Sequence, residues 1–544
     1  MCASNRLVLL VAAAGLAATI AVLWFSDVPL GVPGEWVWRR IHHGAEHVWG
    51  WTAGGAAAAV YILFVVFGGM RIETRGAVRP SAWLCLLAAA GFTWLWVIQS
   101  SVPGIAGLPK TQFVLYYKAS SGYFWQARRE VQDTREFLAG YEELLAERDY
   151  LHIGTHPPGL TLLFRGLLRL FAEHPGLTDV VLATEPAFCR EAAATMRATE
   201  LTSGRILTPT DEAVLWLAAL LAQAAAAVTV IPLFVLLALC VDRRTAWFVA
   251  ALWPLVPGIA VFLPKSDAVF PLVSTLGPCL WLVGWRRRSI LYCVLAGATL
   301  FAGMFLSLAI APVAVLTGLA TVIGEWTLWG ETRPVLDLSS RASPPLGAAA
   351  DSGATRRGEG EVGAPRAGVW WWALSVLGAA FGFFVPVILL WRHYDLNLPR
   401  VWSWNVANHA LFYEKNVRTW WKWLLVNPVE AGLAAGGPLA MLALLGAVRS
   451  RATRLFPLVA AAAIVWGLLW LSGKNMGEAA RLWLLFQPWV VVAAAAALRD
   501  TQAGSLDLAK PSRMHYVWIA VLALQAAACI ATVTRVDGFE LSPA

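Results

Sequence analysis

The sequence predicts an all-α fold, a polytopic bundle of about thirteen transmembrane helices with a large extracytoplasmic loop bearing amphipathic surface helices. Three observations predict it. Hydrophobic residues make up 58% of the 544-residue chain, charged residues only 14%, and the mean hydropathy is +0.62; these are values of a polytopic membrane protein and exclude an ordinary soluble globule. Apolar stretches of about 20 residues recur, the length a helix needs to cross a hydrocarbon core of about 30 Å with its backbone amides satisfied internally. One long polar segment, 100–211, interrupts them.

The apolar stretches are 7–25, 51–69, 81–99, 212–240, 246–263, 268–285, 289–304, 307–323, 368–391, 421–445, 455–471, 483–498 and 515–533. The first reads as a retained helix, because Trp24, Phe25, Ser26 and Asp27 stand where a signal peptide would carry small cleavage-site residues. Residues 158–172 carry Arg165 and Arg169 in a short apolar pattern, so an interfacial or re-entrant helix is expected there. The stretch 331–366 is rich in Gly, Ala, Ser, Pro and Arg and reads as a disordered cytoplasmic linker. It separates an N-terminal part, 1–330, from a C-terminal part, 367–544. Cys85, Cys240, Cys279, Cys293 and Cys529 lie in or at the ends of spans without paired spacing, and are expected to be small buried side chains.

Short basic loops stay on the cytoplasmic side. Arg71, Arg75 and Arg79 mark one such loop, Arg243 and Arg244 a second, Arg286 to Arg288 a third, and Arg449, Arg451 and Arg454 a fourth. With that parity, 100–211, Lys265-Ser266-Asp267, the Trp-rich loop 392–420 and 472–481 all fall on the opposite face. Arg39 and Arg40 are the exception, a basic pair on the outer side. Of the 30 tryptophans, those near span ends, such as Trp94, Trp96, Trp285, Trp391, Trp421 and Trp423, are expected to act as interfacial anchors.

Within 123–149, Phe124, Ala127, Val131, Phe137, Tyr141, Leu144 and Leu145 recur at helical spacing opposite a charged face, predicting an amphipathic segment that lies on the membrane surface or against the bundle. The segment closes on Thr155-His156-Pro157-Pro158-Gly159. Two prolines make a rigid corner and a helix start, and Gly159 allows close approach by another part of the chain. His156 projects from that corner.

This layout, and the stretch from Gly122-Tyr123-Phe124 through Gly159 in particular, resembles the GT-C class of integral-membrane glycosyltransferases, in its protein-mannosyltransferase-like and lipid-A-sugar-transferase-like branches. The resemblance implies transfer of a sugar from a polyprenyl-phosphate donor to a glycan, lipid or protein acceptor outside the cytoplasmic membrane. The family's acidic pair ahead of the Pro-Pro corner has no counterpart here, since Ala119-Ser120-Ser121-Gly122-Tyr123 contains no acid.

Such chemistry needs a carboxylate to take the acceptor proton and cations to stabilise the leaving phosphate. The base is expected from Asp133, with Asp27 or Asp149 as substitutes, and His156 joins the catalytic candidates. Lys265, Lys474 and Arg481 are the candidates for the donor phosphate, Arg481 standing three residues from Glu478. Tyr123, Trp125, Asp267, Asn408, His409 and Glu478 are the candidates for sugar or acceptor, the cluster Asn405, Asn408, His409, Tyr413 and Glu414 shaping an acceptor site and Trp125, Trp402 and Trp404 offering stacking platforms. No metal ligand is assigned: His152 and His156 are four apart without a third partner, and divalent-metal dependence stays open. The expected partners are a polyprenyl-phosphate-linked sugar and the lipid bilayer, not nucleic acid. The alternatives are an O-antigen ligase or polymerase, which also needs basic residues for a lipid pyrophosphate, and a transporter, which calls for internal repeats that the chain lacks.

Overall fold

The computed structural model describes residues 3–42, 47–72, 79–327, 368–499 and 512–539. Arg75 and the linker 331–366 lie outside the described residues. The fold is all-α, with strand confined to a small antiparallel sheet of Leu30–Val32, Trp36–Arg40 and Val536–Asp537, in which Leu30 faces Trp38 and Arg39 faces Asp537.

Among the described residues, nine helices are long and apolar enough to cross a membrane: Ser4–Trp24, Val48–Arg71, Pro80–Ser100, Pro209–Ala238, Arg243–Phe262, Ser266–Arg287, Leu308–Thr327, Val369–Tyr394 and Tyr516–Val533. The expected thirteen apolar stretches all contain helix, but they are not thirteen full spans. Ile290–Leu306, Phe456–Ser472 and Leu484–Arg499 are shorter apolar helices, and the stretch read as one span over 421–445 is bent by 111° between Trp420–Ala435 and Gly437–Ala452. The break sits at Gly436, whose φ of 85° suits a residue without a Cβ. Backbone groups freed by a break need partners when no water is at hand. Gln525 supplies them: its amide donates to Ala435 O (2.8 Å) and Leu255 O (3.0 Å) and accepts from Leu439 N (3.1 Å), while Thr19 Oγ1 accepts from Gly437 N.

Of the polar segments predicted to share a face, 392–420 is bonded to both 100–211 and 472–481, and further bonds tie the chain together at the same end of the bundle. Arg535 donates to Leu23 O (3.0 Å) and Ile41 O (2.8 Å), Tyr413 to Lys474 O (2.5 Å), Asn405 to Gly154 O (3.0 Å) and Lys110 to Val261 O (2.9 Å). Basic residues hold the other end, Arg286 donating to Leu239 O and Arg449 to Ser4 Oγ and Ala497 O. Arg40, the misplaced charge, donates to Val22 O (3.0 Å) and Val28 O (2.6 Å), so its guanidinium serves the exit of the first span.

Between the spans Pro80–Ser100 and Pro209–Ala238 the chain folds into short helices. The amphipathic stripe is buried as expected, but Tyr123–Arg129, Thr134–Ala139 and Tyr141–Ala146 are three helices rather than one. Buried carboxylates fasten this segment: Asp211 to Arg128 (2.7 Å), Glu212 to Arg197, and Glu200 to Tyr116 (2.7 Å) and Arg205 (2.6 Å). Gly159–Glu173 is an amphipathic helix that buries Leu160, Thr161, Phe164 and Phe171, and it is not among the nine long apolar helices.

Two expectations about side chains are corrected. Cys85 is exposed and Cys240 half-buried, whereas Cys279, Cys293 and Cys529 are buried, as is Cys189. Trp94, Trp285 and Trp423 are not interfacial anchors but lie inside the protein, Trp285 donating to Glu325 (2.8 Å) and Trp423 to Glu35 (2.8 Å); Trp391 and Trp421 stay exposed. An indole inside the bundle keeps its apolar body packed when its N–H finds an acceptor.

Candidate functional site

Four segments meet at the polar end. The first is the corner 149–159. Gly159 lies against the Phe305 carbonyl, where an added Cβ would sit 2.2 Å from the oxygen, so the corner closes directly onto Ile290–Leu306. From the other side the helix Leu398–Lys415 pins it: Asn405 donates to Gly154 O and His156 O (3.1 Å), and Asn408 to Leu145 O (3.0 Å) and Gly154 O (3.1 Å). Tyr141 adds a bond to His156 O (2.9 Å). Asn405 and Asn408, read as part of an acceptor site, therefore hold the backbone that carries His156.

His156 Nδ1 lies 3.0 Å from His152 O, which can only accept, so Nδ1 carries the proton and Nε2 presents a lone pair. Thr155 Oγ1 stands beside the same nitrogen (3.0 Å), and the Tyr123 ring meets the imidazole edge-on with centroids 5.6 Å apart. Burial lowers His156 to about 4, against the opposing pull of Asp267, so the imidazole is neutral at neutral pH. Burial, then Lys265 and Arg481, push His152 well below its ordinary value, and its Nε2 rests on Ala119 O (2.9 Å).

The second segment is the turn Lys265-Ser266-Asp267 between Arg243–Phe262 and Ser266–Arg287. Lys265 is only 4% exposed, and among the described residues its ammonium has no hydrogen-bond or ion-pair partner. Burial and the nearby Arg481 pull it down to about 7, while Asp267 and Glu478 act the other way. The third is the loop 473–481. Arg481 is largely buried, its side chain 12% exposed, and donates through Nη2 to Glu478 (2.9 Å), while its Nε has no partner among the described residues. Glu478 and Asp267 hold its charge against burial. Glu478 adopts φ 54°, a left-handed conformation that a side-chain-bearing residue takes up at a cost of about 1–2 kcal/mol. The fourth is the 409–413 turn of Leu398–Lys415, where His409 faces the Tyr413 ring at 5.3 Å and Tyr413 bonds the backbone of Lys474 and Met476.

Tyr123, His156, Lys265, Asp267, His409, Glu478 and Arg481 are thus brought within electrostatic reach of one another. Lys474 stands exposed at the rim, its charge felt by His409. Four candidates are not brought in. Asp133 is the exposed N-cap of Thr134–Ala139, its carboxylate accepting from Arg135 N (2.8 Å) and Glu136 N (2.9 Å). Asp27 is exposed beyond the first span, beside Arg40. Trp125 has guanidinium groups over its ring, Arg129 at 5.6 Å and Arg205 at 5.2 Å, and Trp402 packs on Phe383 at 5.9 Å. Asp133→Ala is therefore expected to destabilise the protein by about 1 kcal/mol through the lost cap while leaving turnover intact; unfolding midpoints measured alongside activity check this.

Sequence reading did not single out Glu35, Arg418 or Glu430. Glu35 accepts from Thr419 N, Thr419 Oγ1, Lys422 and Trp423, while Arg418 lies among the rings of Trp36, Phe412 and Trp423 with Glu478 in reach. Among the described residues no group of three or more His, Cys, Asp or Glu is placed to hold a metal ion.

In sequence comparisons no protein-family model and no curated protein matches the chain. The GT-C resemblance accordingly rests on layout and on the 122–159 stretch.

Proposed function

We propose that the chain is a multi-pass glycosyltransferase of the cytoplasmic membrane, moving a sugar from a polyprenyl-phosphate donor to an acceptor hydroxyl on the outer side. The observation that carries this reading is Lys265: a side chain only 4% exposed whose ammonium has no partner among the described residues, beside a second, largely buried cation, Arg481, and across from a neutral imidazole. A buried charge needs a counter-ion, and a phosphate headgroup supplies one. Arg481 offers a fork of donors and Lys265 a point charge, a pairing suited to the charge that develops on a leaving phosphate.

In the proposed reaction the bond from the sugar's anomeric carbon to the phosphate oxygen breaks, and its electrons leave with the phosphate held by Lys265 and Arg481. The acceptor oxygen forms the new bond to that carbon. Its proton passes to His156 Nε2, and Asp267 stabilises the imidazolium that results. The basic loops at the opposite end of the bundle support an outward-facing site.

A pH titration tests the phosphate role. Lys265 loses its charge as pH rises through about 7, with burial and Arg481 favouring that loss and Asp267 and Glu478 opposing it, while His156, lowered to about 4, stays neutral across the range. Binding of a polyprenyl monophosphate, followed in lipid nanodiscs, is expected to weaken about tenfold between about pH 6 and about pH 8. Lys265→Met flattens that slope; an unchanged slope in the variant removes Lys265 from the donor site.

A further inference from the structure

A second site lies beside the cation cluster and is built differently. An apolar cavity of about 290 Å³ runs between the outlet of the first span, Gly258–Phe262 and the Trp420–Ala435 half of the broken span. Its wall is almost wholly hydrocarbon, with one buried carboxyl: Glu430, 3% exposed. Oε2 of Glu430 accepts from Ala480 N (3.4 Å), the residue before Arg481, but among the described residues Oε1 has no partner. The indole N–H of Trp38, also in the wall, approaches the same carboxyl without meeting hydrogen-bond geometry and has no partner either. A buried acceptor and a buried donor, both unsatisfied, cost on the order of 1–3 kcal/mol each.

The cavity opens sideways. Val28, Leu425 and Val429 line it and are 57%, 70% and 56% exposed, so its mouth lies on the flank of the bundle that bilayer lipid would cover. A ligand entering there is apolar along its length. Its head has to satisfy one acceptor and one donor together, as a hydroxyl does by donating to Glu430 Oε1 and accepting from Trp38 Nε1. An alkane leaves both atoms unpaired, and a carboxylate or phosphate would carry a charge into a wall of hydrocarbon without a counter-ion.

We infer that this cavity binds an uncharged long-chain alcohol, admitted from the membrane between Val28 and Val429 and held by its hydroxyl between Glu430 and Trp38. The inference goes beyond the transfer reading and does not depend on it, since neither Lys265 nor Arg481 lines the cavity.

Photolabelling tests it. Full-length protein in nanodiscs is irradiated with 1-dodecanol bearing a diazirine next to its hydroxyl, the adducts are mapped by peptide mass spectrometry, and dodecanol, dodecane and dodecyl phosphate serve as competitors. The label is expected on 28–38 or 425–434, with dodecanol competing about tenfold better than dodecane or dodecyl phosphate, the equivalent of about 1.4 kcal/mol. Glu430→Leu removes the preference for the alcohol over the alkane, and Val429→Trp, at an exposed position that leaves the interior untouched, blocks labelling. Label elsewhere, equal competition by dodecane, stronger competition by dodecyl phosphate, or undiminished labelling of Val429→Trp overturns the inference, the last deciding the matter even where Glu430→Leu fails to fold.

Discussion

Arg481→Met is expected to lower sugar transfer by about 10²- to 10³-fold, the loss seen when a preorganised donor to a developing negative charge is removed. The variant alone is ambiguous, because it also strands Glu478, whose carboxylate is 19% exposed and bonded to Arg481. Breaking one member of a largely buried ion pair destabilises a protein more than removing both. The double variant Glu478→Gln/Arg481→Met separates the two effects. If Arg481 only neutralises Glu478, the double variant recovers both the unfolding temperature and the turnover. If Arg481 holds the phosphate, stability recovers and turnover does not, and the defect falls on the donor's kcat/KM more than on the acceptor's. Arg481→Lys, which keeps the charge but not the fork, is expected to fall between. Recovered turnover in the double variant would refute the phosphate role.

The residues that gather around Arg481 were legible in the sequence for a simple reason. Lys265, Asp267, Glu478 and Arg481 are ionisable groups at the ends of apolar stretches, and the basic loops 243–244, 286–288 and 449–454 placed those ends together. The broken span was legible too, in Gly436-Gly437-Pro438, but the apolar content of 421–445 hides a run whose backbone cannot continue a helix. Asp133 shows the opposite error. Asp133-Thr134-Arg135-Glu136 carries an acid three residues ahead of a Glu at a helix start, a capping pattern, and its place in the family-like stretch made a helix cap look like a base. Glu35 and Glu430 were out of reach for another reason. The hydroxyl and amide that bond Glu35 belong to Thr419, 384 residues away, and Glu430 meets Ala480 across 50; no local pattern marks a carboxylate whose partners arrive from another span.

Glu35→Ala is expected to be the most destabilising single change at this end of the bundle, by about 3 kcal/mol. Its side chain is 5% exposed and accepts four hydrogen bonds: Thr419 N (2.8 Å), Thr419 Oγ1 (2.6 Å), Trp423 Nε1 (2.8 Å) and Lys422 Nζ (3.2 Å). Its backbone carbonyl accepts from Arg418 (2.7 Å), whose guanidinium in turn lies against Gly477 next to Glu478. Truncation leaves the buried Trp423 indole and the Thr419 amide without an acceptor, while Lys422, 38% exposed on its side chain, still finds water; that keeps the cost below that of a fully enclosed pair. Burial alone would raise the carboxyl, but the hydrogen bonds from Thr419, Trp423 and Lys422 outweigh it and bring it from 4.5 down to about 2. Because the folded-state value is the lower one, the stabilisation is fully present above about 4.5 and disappears as pH falls toward about 2. Thermal unfolding in nanodiscs should therefore separate the parent protein from Glu35→Ala widely at neutral pH, and the two curves should converge as the medium is acidified through that window. A gap that stays constant down to the lower limit would mean that the four bonds do not depend on the charge of Glu35 and that its role is packing alone.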